Sequence, residues 1–228
     1  MITLYEEDKD KLSAKAASII LNELEVLAKE KEQVVLGLPG GRSVKKVYDE
    51  FAKSNSDAWK KTHIFTVDER VALADSDERN SKLIKESFTD KLIEKGLIGE
   101  KNLHFLKGTT QEHFSAYGEE LKILGGFDIV LLGVGEDGHV AALYPEHPVL
   151  DKESSYAYME DSPKPPPKRI TATKDLILNA ELVVLFFIGE GKKEAYKAFL
   201  DDSKDFIECP AKIGLEANKL FVFTDIKK

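Results

Sequence analysis

Apolar residues recur along this chain in two alternating rhythms. Short apolar runs that read as buried strands lie at 2–5, 33–38, 63–67, 103–106, 127–132, 182–188 and 220–224. Between them, apolar residues fall three and four positions apart. Leu12, Ala16, Ile19, Ile20, Leu24 and Leu27 mark a helix over 8–31, and Val44, Val47, Tyr48 and Phe51 one over 43–53. Further helices are predicted over 80–95, 111–124 and 192–200. Two short strands, at 156–159 and 169–173, flank Pro163-Lys164-Pro165-Pro166-Pro167. Apolar strands alternating with amphipathic helices predict an α/β fold. Its core is a mainly parallel, Rossmann-like sheet flanked by helices, with a short strand-rich, proline-containing insertion. No repeat or linker breaks the pattern, so a single domain over 1–228 is expected.

Composition narrows the classes. No apolar run approaches the ~20 residues needed to span a bilayer, and the acidic start, Met1 to Asp8, lacks a signal-peptide pattern. The single cysteine, Cys209, rules out an intramolecular disulfide and fits a reducing compartment, so a cytoplasmic location is expected. A net charge of -8 argues against nucleic acid or an anionic membrane as partner. Of 33 basic residues only Arg42, Arg70, Arg79 and Arg169 are arginines. In a lysine-biased chain these four positions draw attention, because the planar guanidinium suits carboxylates and phosphates.

The candidate chemistry follows the strands. Leu131-Leu132-Gly133-Val134-Gly135-Glu136-Asp137-Gly138-His139 ends an apolar run in three glycines, two carboxylates and a histidine. Ligands bind beyond the carboxyl ends of strands in open α/β sheets, so His139 stands where substrates sit. It reads as a general base, a metal ligand or a structural histidine, but no neighbouring residues show metal-ligand spacing. Gly133 to Gly138 also fits a dinucleotide fingerprint, although it lies past mid-chain and the stretch that follows is broken by prolines. Gly40-Gly41-Arg42-Ser43 joins a strand to a helix. It reads either as an anion-binding turn or as a plain turn with Ser43 as N-cap. Asp68-Glu69-Arg70 follows the next strand, either as a substrate-facing group or as a loop ion-pair cluster. Arg169, after the prolines, is a candidate phosphate ligand or a solvated surface charge.

Taken together and in order, these motifs resemble the 6-phosphogluconolactonase family, within the group that also holds glucosamine-6-phosphate deaminases. Five blocks carry the resemblance: Pro39 to Ser43, Asp68-Glu69-Arg70 with Asn80, Gly133 to Pro145, Pro167 to Thr171, and Gly189-Glu190-Gly191-Lys192. The chain departs from the family pattern at Ser43-Val44, Arg79, Ala142 and Tyr144. Deaminases carry a glutamate where this chain has Tyr144, which favours the lactonase.

The resemblance implies hydrolysis of a sugar-phosphate lactone without metal or organic cofactor. His139 is the expected base, Asp137 its orienting partner, and Arg70, with Asp68 nearby, the group facing the reacting oxygens. Gly40, Gly41, Arg42, Ser43, Gly135, Arg169 and Lys192 are expected to bind the substrate and its phosphate. A small-molecule partner is expected, and a monomer with at most a weak homodimer. A deaminase or a non-catalytic sugar-phosphate sensor on the same fold are the rival readings.

Overall fold

The computed structural model describes residues 2–153 and 156–227. In chain order among these come β1 (Ile2–Glu6), α1 (Lys9–Glu30), β2 (Val34–Leu38), α2 (Lys45–Lys53), β3 (Thr62–Thr66), β4 (Asp68–Arg70) and α3 (Asn80–Ile84). Then follow α4 (Asp90–Glu94), β5 (Leu103–His104), α5 (Gln111–Ile123), β6 (Ile129–Gly133), β7 (Tyr156–Met159) and β8 (Arg169–Ala172). The chain continues with α6 (Lys174–Leu178), β9 (Leu182–Phe187), α7 (Lys193–Leu200) and β10 (Leu220–Thr224). A π-helical turn over Lys85–Thr89 joins α3 to α4, so the helix expected over 80–95 is present with one wide turn in its middle.

Seven strands form a parallel sheet in the order β1-β10-β9-β6-β2-β3-β5. From β2 the chain moves outward through β3 to β5, then returns to place β6 on the other side of β2. The winding direction therefore reverses between β2 and β6. At such a switch point the loops leaving the two strands diverge and open a crevice at their carboxyl ends. Pro39 follows β2 and Val134 follows β6, so the two glycine-bearing loops flank that crevice.

Strand alternation fills both faces of the sheet. Val130, Leu132, Val183 and Leu185 pack on one face, while Ile129, Leu131, Leu182 and Val184 pack on the other. Helices α1 and α2 cover the second face through Leu12, Ile20, Leu24, Val47 and Phe51. Helix α5 and the second sheet cover the first, through Phe114, Leu121, Tyr156 and Ile170. Each such side chain contributes about 1.5–3 kcal/mol on full burial. The strands are thus rigid, and loops hung on their ends are held accurately.

The second sheet is antiparallel, in the order β4-β8-β7. It contains the two short strands expected around the prolines and one strand the pattern did not predict. Asp68-Glu69-Arg70 is not a loop cluster but strand β4, paired with Thr171, Ile170 and Arg169. Three consecutive charged residues carry no apolar alternation, so their strand conformation is set by the pairing with β8. Ser43 is not a helix cap either. Helix α2 begins at Lys45, with Val44 at its N-cap and no side-chain cap bond. No helix among the described residues is long and apolar enough to cross a membrane.

Candidate active site

A cleft of about 630 Å³ opens at the switch point. Its lining includes Gly40, Gly41, Arg42, Ser43, Asp68, Arg70, Gly135, His139, Arg169 and Lys192. Ten of the eleven residues singled out from the sequence therefore meet in one cavity. The eleventh, Asp137, lies outside the lining, in contact with His139 Nδ1.

The loop after β6 is shaped around that pair. His139 Nδ1 lies 2.5 Å from Asp137 Oδ1, and the His139 amide donates to the same oxygen at 3.3 Å. An ionised carboxylate only accepts hydrogen bonds, so Nδ1 carries the proton and Nε2 is left as the basic nitrogen. Burial alone would raise the Asp137 carboxyl. The hydrogen bonds and charge of His139 outweigh it and hold the carboxyl well below the usual range. A Cβ on Gly135 would lie 2.0 Å from His139 Nδ1 and 2.6 Å from Asp137 Oδ1, so only glycine leaves room for the pair. The Gly135 amide closes the turn by donating to the His139 carbonyl at 2.8 Å.

The floor beneath this turn comes from far along the chain. Ala211 N donates to Gly138 O at 2.9 Å, and the buried Cys209 packs against Gly138. Tyr144 packs its ring against His139, with centroids 4.7 Å apart. It is buried, its oxygen lies 3.0 Å from Ser162 Oγ, and burial raises its phenol above the ordinary value.

The opposite wall is built by β4. Asp68 accepts from Asn80 Nδ2 at 3.1 Å through Oδ1, and its Oδ2 lies 3.5 Å from Arg169 Nη1. Asn80 in turn fits because Gly40 has no side chain, since a Cβ there would overlap Asn80 Oδ1 at 1.8 Å. Glu69 points away from the cleft. It is fully buried and caps α3, accepting from the amides of Asn80 at 2.8 Å and Ser81 at 2.9 Å. Arg70 lines the cleft, with Nη1 bound to the Glu78 carbonyl.

The four arginines do not share one role. Arg42 is exposed at the mouth of the cleft beside the Gly40 turn. Arg79 is buried away from it, 3.5 Å from Glu69 and donating to the carbonyls of Ala72 and Leu106. Arg169 is buried as well. Its Nε donates to Pro166 O at 3.1 Å, and Nη2 to Pro165 O at 2.9 Å and Lys164 O at 3.3 Å. Only Nη1 remains, turned toward Asp68. Lys192 is half-buried on the far wall. Burial lowers its ammonium below the ordinary value, against the pull of Glu136 and Asp137.

Sequence reasoning passed over Lys9, Glu136 and Lys164, which also line the cleft. A lysine in a lysine-rich chain carries no signal of its own. Lys164 could have been found through its place inside the proline run. Among the described residues no group of three or more His, Cys, Asp or Glu side chains is arranged to hold a metal.

Comparison with known proteins follows the same lines. Residues 7–222 match the model of the glucosamine-6-phosphate isomerases/6-phosphogluconolactonase family. A 6-phosphogluconolactonase of Borreliella burgdorferi is 33% identical over 198 residues, covering 85% of this chain and 84% of that protein. The crystal structure of a 6-phosphogluconolactonase from Thermotoga maritima superposes with a TM-score of 0.84 at 26% identity, over 98% of each chain. A monomeric glucosamine-6-phosphate deaminase shares the fold, with a TM-score of 0.81 at 19% identity.

Proposed function

Because the chain belongs to the glucosamine-6-phosphate isomerase/6-phosphogluconolactonase family, we propose that it is a 6-phosphogluconolactonase. It opens 6-phosphoglucono-1,5-lactone to 6-phosphogluconate, the hydrolytic step of the oxidative pentose phosphate route. The observation that carries the reading is the Asp137–His139 pair, presented at the switch-point cleft by a turn that has room for it only at glycine.

His139 Nε2 takes a proton from water as the water oxygen bonds to C1 of the lactone. The carbonyl electron pair moves onto its oxygen, giving a tetrahedral oxyanion. Collapse re-forms the carbonyl and breaks the bond from C1 to the ring oxygen, which takes the proton back from Nε2. The product acid then loses its own proton to solvent. Asp137 keeps the imidazole in the reactive tautomer and stabilises its charged form. The turn Gly40-Gly41-Arg42-Ser43 directs backbone N–H groups at the phosphate, aided by Lys192 and by the remaining Nη1 of Arg169. Asp68 and Arg70, across from His139, face the sugar oxygens.

Tyr144 separates this reaction from the deaminase. It stands where deaminases carry a glutamate, and a buried phenol with a raised pKa is no substitute for a carboxylate near neutral pH. The test measures both reactions on one chelator-treated preparation, with correction for spontaneous lactone opening. Catalysed opening of fresh 6-phosphogluconolactone without ammonia release from glucosamine 6-phosphate is expected. Catalytic ammonia release, or lactone opening that returns only on adding metal, would overturn the assignment.

A further inference from the structure

The lactonase reading leaves two cations of the cleft, Lys9 and Lys164, without a task, and of the two only Lys164 is paired with the His139 machinery. Lys164 Nζ lies 3.8 Å from Asp137 Oδ2, the carboxylate whose other oxygen holds His139. Among the described residues it is the lysine within ion-pair distance of that carboxylate, and it lines the cleft beside His139. Lysine side chains are ordinarily mobile, but here the backbone that carries the side chain is gripped from two sides. The Lys164 carbonyl lies 3.3 Å from Arg169 Nη2 and 2.9 Å from Ser162 Oγ, and the Lys164 amide donates to that same Oγ at 3.3 Å. Arg169 extends the grip over the next two carbonyls, while Ser162 N donates to Pro167 O at 3.1 Å and closes the loop. The side chain itself is left partly exposed toward the cleft, 43% of it accessible.

Resting on the lactonase reading, we propose that Lys164 is a catalytic residue of this reaction and that Arg169 is the positioning residue that sets it. The ammonium of Lys164 meets the oxyanion at C1. A water that gives its proton to His139 Nε2 must attack a carbon beside that imidazole, so the carbonyl oxygen develops its charge there. Lys164 is bound to the same carboxylate as that imidazole. The phosphate hangs several bonds away, at the other end of the sugar. Arg169 has committed Nε and Nη2 to three carbonyls of one loop. It is therefore poorly placed for the bidentate grip on phosphate that its residue type suggests, and well placed to hold Lys164. Asp137 then has two functions: it orients the base through Oδ1 and steers the cation through Oδ2.

The test is a split between kcat and KM on fresh 6-phosphogluconolactone, with inhibition by inorganic phosphate as an independent reading of the phosphate subsite. Removing a donor to an oxyanion typically costs about 10²–10³ in rate. Lys164→Met is expected to lower kcat about 10²-fold, with KM and phosphate inhibition within about threefold of wild type. Lys164→Arg should recover part of the loss. Arg169→Lys should also lower kcat, and should add little to the kcat loss in the Lys164→Met background, because in that rate both changes remove the same function, while the contact of Arg169 Nη1 with the phosphate is read separately in KM. Ser162→Ala, which loosens the same loop, gives a milder version should Arg169→Lys fold poorly. Wild-type kcat in Lys164→Met would overturn the proposal. So would a loss confined to KM and phosphate inhibition, which would make Lys164 a phosphate anchor. Additive losses from Lys164 and Arg169 would remove the positioning role. A wild-type chain inert toward the lactone would instead overturn the lactonase reading itself.

Discussion

Gly135 occupies the one place in the β6 loop where a side chain would collide with both His139 and Asp137. The atoms in its way are side-chain ends, which can swing aside more cheaply than backbone can move. Gly135→Ala is therefore expected to expel the imidazole without unfolding the loop, lowering kcat at least about tenfold. Thermal denaturation should place its Tm within a few degrees of wild type. His139→Asn should lower kcat by about 10²–10⁴, the usual range for a general base, with KM little changed; turnover within a few-fold of wild type would remove His139 from the mechanism. Asp137 offers a check by pH. Its folded pKa lies below the ordinary value, so its stabilising effect is present above that value and is lost as pH falls through the folded one. The stability difference between wild type and Asp137→Asn should thus shrink in acid below about pH 4. The slope will be shallow, because the carboxylate is about one-third exposed and screened by solvent. At this scale the sequence was informative wherever a residue type was scarce or its spacing unusual. The histidine after three glycines stood out, and so did the four arginines. Scarcity does not report direction, however. It drew attention equally to Arg79, which ties Ala72 and Leu106 together in the interior, and to Arg42 at the cleft mouth.

Among the elements, β4 shows most clearly what pattern reading misses. Its residues are all charged, and each points to a different purpose. Asp68 faces the cleft, Arg70 lines it, and Glu69 turns inward to cap α3 beside the buried Arg79. Removing Glu69 leaves an arginine buried without its counter-charge and a helix end without its acceptor. Glu69→Ala is expected to cost about 3–5 kcal/mol, the usual range for breaking a buried ion pair. Urea denaturation would show it as a lowered midpoint at unchanged slope. A loss under about 1 kcal/mol would mean that the site tolerates the bare guanidinium. The long apolar strands and amphipathic helices were legible because burial on a sheet face or helix stripe leaves a period in the sequence. A three-residue strand held by its neighbour leaves none, and neither does the π-helical turn inside the helix from Asn80 to Glu94.

For the molecule as a whole, alternation of strands and helices implied a parallel sheet but said nothing about strand order. The order places β6 between β2 and β9, with the His139 turn resting on Cys209 and Ala211, some seventy residues further along. This arrangement has a consequence for a chain made from its N-terminus onward. When His139 emerges from the ribosome, neither the strand on its outer side nor the floor under its turn has yet been synthesised. Domains generally fold as units as their sequence becomes available. The cleft is therefore completed late in translation, and β1, whose sheet partner is β10, waits longer still. A ribosome-bound fragment that stops short of Ala211 would carry every residue of the cleft lining in its covalent sequence and still lack the seat on which its histidine is aimed.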